Sequence, residues 1–174
     1  GSTNVNSGFS GYYFWQIDDL ELIETPVNLI EIEDVVIGGY WIDYINYSGS
    51  GLNGIIGLDY TITPVSQLVN HPYSIEGVLR NSGSADQLST LKYEVYGAAG
   101  SYSGTSTPTN VNAYSATNTT DSMVVAANPS LSPAVGVYGV SIWGESDSAG
   151  VITTSSDTTY RMIEISEYIY GKDY

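Results

Sequence analysis

The sequence predicts an all-β protein, folded as an antiparallel two-sheet β-sandwich with no substantial helix. Three observations predict it. Apolar and polar residues alternate with period two in one run after another, the spacing that gives a strand one face for a core and one for water. Clusters of Gly, Ser, Asn and Asp separate those runs and supply the turns. Apolar residues make up 42% of the 174-residue chain, with sixteen Tyr among them, so two facing layers can be filled.

The first element is "YYFWQIDDLELIETP", residues 12–26, where Trp15 and Ile17 share one parity and Leu20 and Leu22 the other. One extra residue at Asp18 and Asp19, a β-bulge, returns both apolar pairs to one face and turns a carboxylate sideways. Two readings stay open there. One Asp accepts backbone N–H bonds at the bulge, or Asp18 and Asp19 supply part of a calcium shell, which needs about 6 to 8 oxygen ligands. Residues 26–57 hold a strand, a Gly-Gly break and a second aromatic run ending in a Gly/Ser/Asn turn, and are expected to form a packed connector.

Residues 58–174 are the expected sandwich. In "YSIEGVLRNSG", Tyr73, Ile75 and Leu79 fall together before a turn at Asn81, Ser82 and Gly83; in "STLKYEVYG", Leu91, Tyr93 and Val95 oppose Lys92 and Glu94. Residues 97–122 are rich in Gly, Ser, Thr and Asn yet contain Tyr102, Val111 and Tyr114. They read either as short edge strands with long loops or as a disordered linker. "GVYGVSIWGESDSAG" and "TTYRMIEISEYIYG" form a hairpin pair, with Tyr138, Val140 and Ile142 on one side of the first and Ile163, Ile165 and Ile169 on one side of the second. About seven strands at turn spacings of roughly 8 to 12 residues make an Ig-like sandwich.

Charge and composition narrow the function. Nineteen acidic residues against four basic ones give a net charge of -15, which repels phosphate backbones, so no nucleic-acid partner is expected. Eight of the acids lie at or before Asp43 with no basic residue among them, the pattern of a solvated acidic face. Cysteine is absent, and no apolar run is long enough for membrane insertion. The single His, His71, sits in the turn-like "NHPY" with no nucleophile arranged beside it, and adjacent acids on one bulge do not give the opposed carboxylates of a glycosidase, about 5 Å apart in the retaining case. No enzymatic activity and no cofactor are expected beyond a calcium ion at Asp18 and Asp19.

The stretch "YYFWQIDDLELIETP" resembles the closing strand of the jelly-roll modules called cleaved-adhesin or choice-of-anchor J domains, found in large surface proteins exported by the type IX secretion system. The segment from "YTITPVSQ" to "YSIEGVLRNSGSADQLSTLKYEVYG" is similar to the Ig-like (CARDB-like) repeat that often follows, through Pro64, Gln67, Asn81 and Gly83, and "ISEYIYGKDY" is similar to its end. The Ig-like likeness spans about two thirds of the chain; the jelly-roll likeness covers only a final strand or hairpin. The resemblance implies residues 1–25 as the terminal hairpin or strand of a jelly-roll-like module, 26–57 as connector and 58–174 as Ig-like domain. It also implies a secreted or cell-surface, adhesin- or stalk-like protein whose partners are neighbouring β domains of the same polypeptide or neighbouring subunits.

Two further sets of residues bear on partners. The triplets beginning at Asp121, Asp147 and Asp157 resemble the O-glycosylation signal of proteins exported by the same bacteria, which would place glycans on Ser122, Ser148 and Thr158. Asn46 and Asn118 match the N-glycosylation pattern. Trp15, Trp41 and Trp143 each stand in an alternating run, where they serve either as core packing or as a stacking platform for surface glycans. Carbohydrate binding, and a filament subunit that assembles by β-strand addition, are the alternatives to a structural and interaction segment.

Overall fold

The computed structural model describes residues 24–38, 40–43, 55–58, 61–68, 73–98, 100–115, 117, 122–127, 134–148, 151–169 and 171. These residues form twelve strands: β1 Ile30–Ile37, β2 Tyr40–Asp43, β3 Ile55–Leu58, β4 Ile62–Pro64, β5 Ile75–Asn81, β6 Gln87–Gly97, β7 Gly100–Thr105, β8 Thr109–Val111, β9 Ser122–Ala127, β10 Gly136–Ser148, β11 Val151–Ser155 and β12 Thr159–Ser166. A single helical turn, α1 Val65–Leu68, follows β4. The fold is an all-β sandwich, as the alternation predicts.

A small sheet runs β1-β5-β9 and a large one runs β4-β12-β10-β6-β7, with β11 beside β10 and β8 beside β6. The long strand β10 is the spine of the large sheet. It pairs with β6 from Tyr138 opposite Gly97 to Asp147 opposite Leu88, and on its other edge with β12 and then β11. The expected pairing of the last two runs is thus present, with β11 and β12 as two halves of one return strand. They are separated by a bulge at which Ser156 donates its N–H to the Gly144 carbonyl at 2.9 Å.

One core joins the sheets. Ile30, Val35, Ile37, Ile75 and Leu79 from the small sheet pack with Leu91, Tyr93, Val95, Tyr138, Val140, Ile142, Ile163 and Ile165 from the large one. Val36 is fully buried and Val78 nearly so, yet neither belongs to that cluster. They lie on the far face of the small sheet, and β3, paired with β2 as a separate ribbon, runs close to β1.

Several details depart from the expectations. The segment 26–57 supplies β1, which pairs antiparallel with β5 inside the small sheet. Residues 97–122, by contrast, contain β7 and β8, edge strands on β6 as one of the two sequence readings has it, with Tyr102 and Val111 turned to the core and Tyr114 66% exposed beyond β8. The sandwich is antiparallel except at one edge, where β4 joins β12 in parallel; strands so distant in sequence are not held antiparallel by a short turn. Pro64 ends β4 and Gln67 sits on α1. Ile169 lies past the end of β12 and is exposed, whereas Ser166 is buried with its hydroxyl bonded to the Ile169 carbonyl.

Asn81 and Gly83 fix the turn that the sequence marks. The Asn81 side chain, 1% exposed, donates to the Ala85 and Val111 carbonyls at 2.8 and 2.9 Å and accepts the Gly83 N–H at 2.9 Å. The turn docks on the chain leading into β1, since Ser82, Ser84 and Ala85 donate N–H bonds to Leu29, Pro26 and Val27. A Cβ on Gly83 would stand 2.6 Å from the Val27 oxygen, so only glycine fits this approach.

Candidate functional site

The outward face of the large sheet is where the described residues gather exposed aromatic and charged side chains. The register sets the rows. Gly139 lies opposite Tyr96 of β6 and Met162 of β12, and Ser141 lies opposite Glu94 and Tyr160. Tyr96 is 45% exposed, Tyr160 66% and Met162 69%, while their sequence neighbours Val95 and Ile163 point into the core. They share this outward parity with exposed Val137 and Leu88, so the face mixes apolar with charged side chains.

Gly139 is what lets Tyr96 lie down. A Cβ at Gly139 would meet the far end of the Tyr96 ring at 2.5 Å, so the ring rests across the bare backbone of β10. The same pairing of a Tyr with the Gly directly opposite recurs twice inside the core, at Tyr93 over Gly104 and Tyr138 over Gly97. There the ring fills space between the sheets; at Tyr96 it covers the sheet on its open side. With Tyr160, Arg161 and Met162, Tyr96 and Gly139 line a shallow depression of about 350 Å³. The Arg161 guanidinium donates to the Tyr160 carbonyl at 3.2 Å.

Further along the same face, Trp143 is half-buried, and its indole N–H donates to Glu145 Oε1 at 2.7 Å. The other Glu145 oxygen meets the Lys92 ammonium, with the Glu145 side chain 14% and the Lys92 side chain 33% exposed. Burial pushes the Glu145 carboxyl up, but the bonds from Lys92 and Trp143 and the ammonium charge outweigh it and hold the carboxyl below its usual range. Trp143 is one strand and one row from Tyr160, within diagonal reach of an aromatic ring.

A second depression, of about 470 Å³, is lined by Thr25, Arg80, Asn81, Ser82, Gly83, Ser84 and Tyr114. Its polar groups already serve the turn: Asn81 as above, and the Ser82 hydroxyl bonded to Glu31. It holds the fold together more than it offers a surface.

The sequence-predicted residues divide accordingly. Asp18, Asp19 and Trp15 fall outside the described residues, as do His71, Asn46 and Asn118; Trp41 lies on β2, with nothing described of its side chain. Among the described residues no group of three or more His, Cys, Asp and Glu is placed to hold a metal ion. Trp143 stands on the open face, outside the core cluster. Ser122 opens β9 and Ser148 closes β10, while Thr158 is exposed in the bulge between β11 and β12.

Sequence reasoning missed Tyr96, Tyr160 and Met162. The signal was present: each occupies the parity opposite the apolar set of its own strand, beside a residue that faces the core. No family model matches this chain, and comparison with curated proteins and with solved structures returned no significant match.

Proposed function

We propose that this chain is a non-catalytic interaction and structural segment of a secreted or cell-surface multidomain protein, of the adhesin or stalk kind, and that it engages partners through the open face of its large sheet. The observation that carries the reading is the cluster of Tyr96, Tyr160 and Met162, with Val137 beside them, exposed together on the outward face of the large sheet. Contiguous exposed apolar surface of that kind marks binding more often than solubility permits by accident.

The acids support the same reading by what they already do. Glu145 holds Lys92 and Trp143, Glu33 pairs with Arg80 at 3.2 Å, the Asp34 carboxylate accepts the Val35 N–H at 2.8 Å, and Asp86 accepts the Ala113 N–H at 2.9 Å. These are structural duties on separate strands and loops. The Ser- and Thr-rich loops and the resemblance to surface-exported modules favour an extracellular setting. The test is incubation of the protein with soluble polysaccharides, peptides and esters, followed by mass spectrometry of the supernatant. Binding without new products is expected; product release that scales with protein concentration would overturn the reading.

A further inference from the structure

The reading of the chain as a non-catalytic interaction module leaves its partner open, and the relief and charge of the outward face of the large sheet narrow it. Gly139 and Ser141, both small, stand between Tyr96 and Glu94 of β6 on one side and Met162 and Tyr160 of β12 on the other. Ser141 is only 8% exposed although it has the outward parity, so its larger neighbours rise around it. The result is a hollow of about 350 Å³ lined by Tyr96, Gly139, Tyr160 and Met162. Two phenol rings, a thioether and the exposed Glu94 carboxyl thus border one place on the sheet.

Charge decides what suits it. Among the described residues of this face Lys92 is the only base, against Glu94, Glu145, Asp147 and Glu164, and Lys92 is engaged by Glu145. Arg161 takes the core-facing parity opposite Val140, with its guanidinium donating to the Tyr160 carbonyl, and even counted in full it leaves the sum negative. The face is therefore acidic on a molecule of -15, which draws cations and repels polyanions and a second copy of itself. A lysine or arginine side chain matches every wall of the hollow: its head suits the tyrosine rings and Glu94, and its aliphatic stem packs on Met162. The acids are also spread out. Glu164 is opposite Val137, Glu94 is opposite Ser141 and Asp147 is opposite Leu88, so along β10 they stand at 137, 141 and 147, about 13 and 20 Å apart at strand rise. Exposed Val137 and Leu88 lie at the two ends. One small amine reaches one of these carboxyls; a polypeptide segment carrying several basic residues reaches all three.

We propose that this face docks a basic polypeptide segment of a partner protein, with one lysine or arginine side chain seated among Tyr96, Tyr160 and Met162, its head at Glu94, and further basic residues at Glu164 and Asp147. Gly139 is the positioning residue, because any side chain there displaces the Tyr96 ring. This assignment rests on the interaction reading and gives its partner class.

The experiment is fluorescence anisotropy with a rhodamine-labelled peptide of about ten residues alternating arginine and serine, long enough to span the acids, beside peptides in which glutamine or glutamate replaces arginine. Binding of the arginine peptide alone is expected, weakening as salt is raised. Tyr160→Ala, at a ring 66% exposed, and Glu94→Gln should each weaken it about threefold with melting temperature unchanged, and Tyr160→Phe should keep it. Glu24→Gln removes the same charge from an exposed site in the chain before β1 and should leave binding unchanged. No binding of the arginine peptide, equal binding of the glutamine peptide, or equal weakening by Glu24→Gln with Tyr160→Ala unaffected would overturn the site while leaving the interaction reading intact. A mass in light scattering that grows with protein concentration in the absence of peptide would overturn it in favour of self-association. Peptide recovered shortened, by mass spectrometry, would instead overturn the non-catalytic reading and keep the site.

Discussion

Ser89 and Ser146 stand directly opposite each other on β6 and β10, fully buried, with their hydroxyl oxygens 2.6 Å apart. Each satisfies the other in a place where water cannot. Removing one therefore strands the other, at a cost of about 1 to 3 kcal/mol, whereas removing both leaves no orphan. Ser89→Ala and Ser146→Ala should each lower stability in urea titrations, and the double variant should be less damaged than the sum of the two; strict additivity would show that the pair is not a unit. Individual residues like these were only partly legible in the sequence. Parity places Trp143 opposite Val140 and Ile142, and so on the open face, but Ser89 and Ser146 look like any strand serines until the register sets them side by side. The same holds for the three Tyr and Gly partners, which are 43, 41 and 11 positions apart and meet only through cross-strand pairing.

At the scale of elements, the phase of alternation was the most informative signal. In "IEIEDVVI" Ile30 and Ile32 share one parity and Val35 and Ile37 the other, and β1 indeed shifts register between Ile32 and Asp34 while the Asp34 carboxylate caps the Val35 N–H. This is the device the sequence predicts for Asp18 and Asp19, which lie outside the described residues, and it is seen here in β1. Strand partners were less legible, because alternation gives a strand its faces and not its neighbours; nothing in "ITP" announces a parallel edge on β12. The pairing of β6 with β10 yields a pH prediction through Lys92 and Glu145. A carboxyl held low in the fold adds stability above the unfolded Glu value, about 4.3, and loses it as pH falls through the folded value. Lys92→Met should therefore melt lower than the parent at pH 7, by no more than about 1 kcal/mol. That gap should narrow in thermal melts as pH falls below about 4.3. A gap that widens on acidification would contradict the ion pair.

For the whole molecule, two sheets share one core in which tyrosines take a large part, and this shapes its alkaline limit. Burial pushes the Tyr73, Tyr93 and Tyr138 phenols up; the Thr63 hydroxyl partly offsets this at Tyr73, although neither that hydroxyl nor the Tyr73 phenol makes a well-formed hydrogen bond. Groups raised in the fold favour it below the unfolded Tyr value, about 10, and cease to do so as pH rises through the folded values. Tyrosinate absorbance should thus rise in two stages, the second coinciding with loss of the β-sheet dichroism; a single smooth titration with the fold intact would contradict a sealed core. The sandwich itself was legible from composition and period two, while the aromatic cluster on its open face required knowing which strands lie side by side. The most direct test of that arrangement is hydroxyl-radical footprinting of the folded protein read by mass spectrometry. The account predicts rapid oxidation of Tyr96, Tyr160 and Met162 with Tyr93 and Tyr138 protected. Equal labelling of the two sets would contradict it.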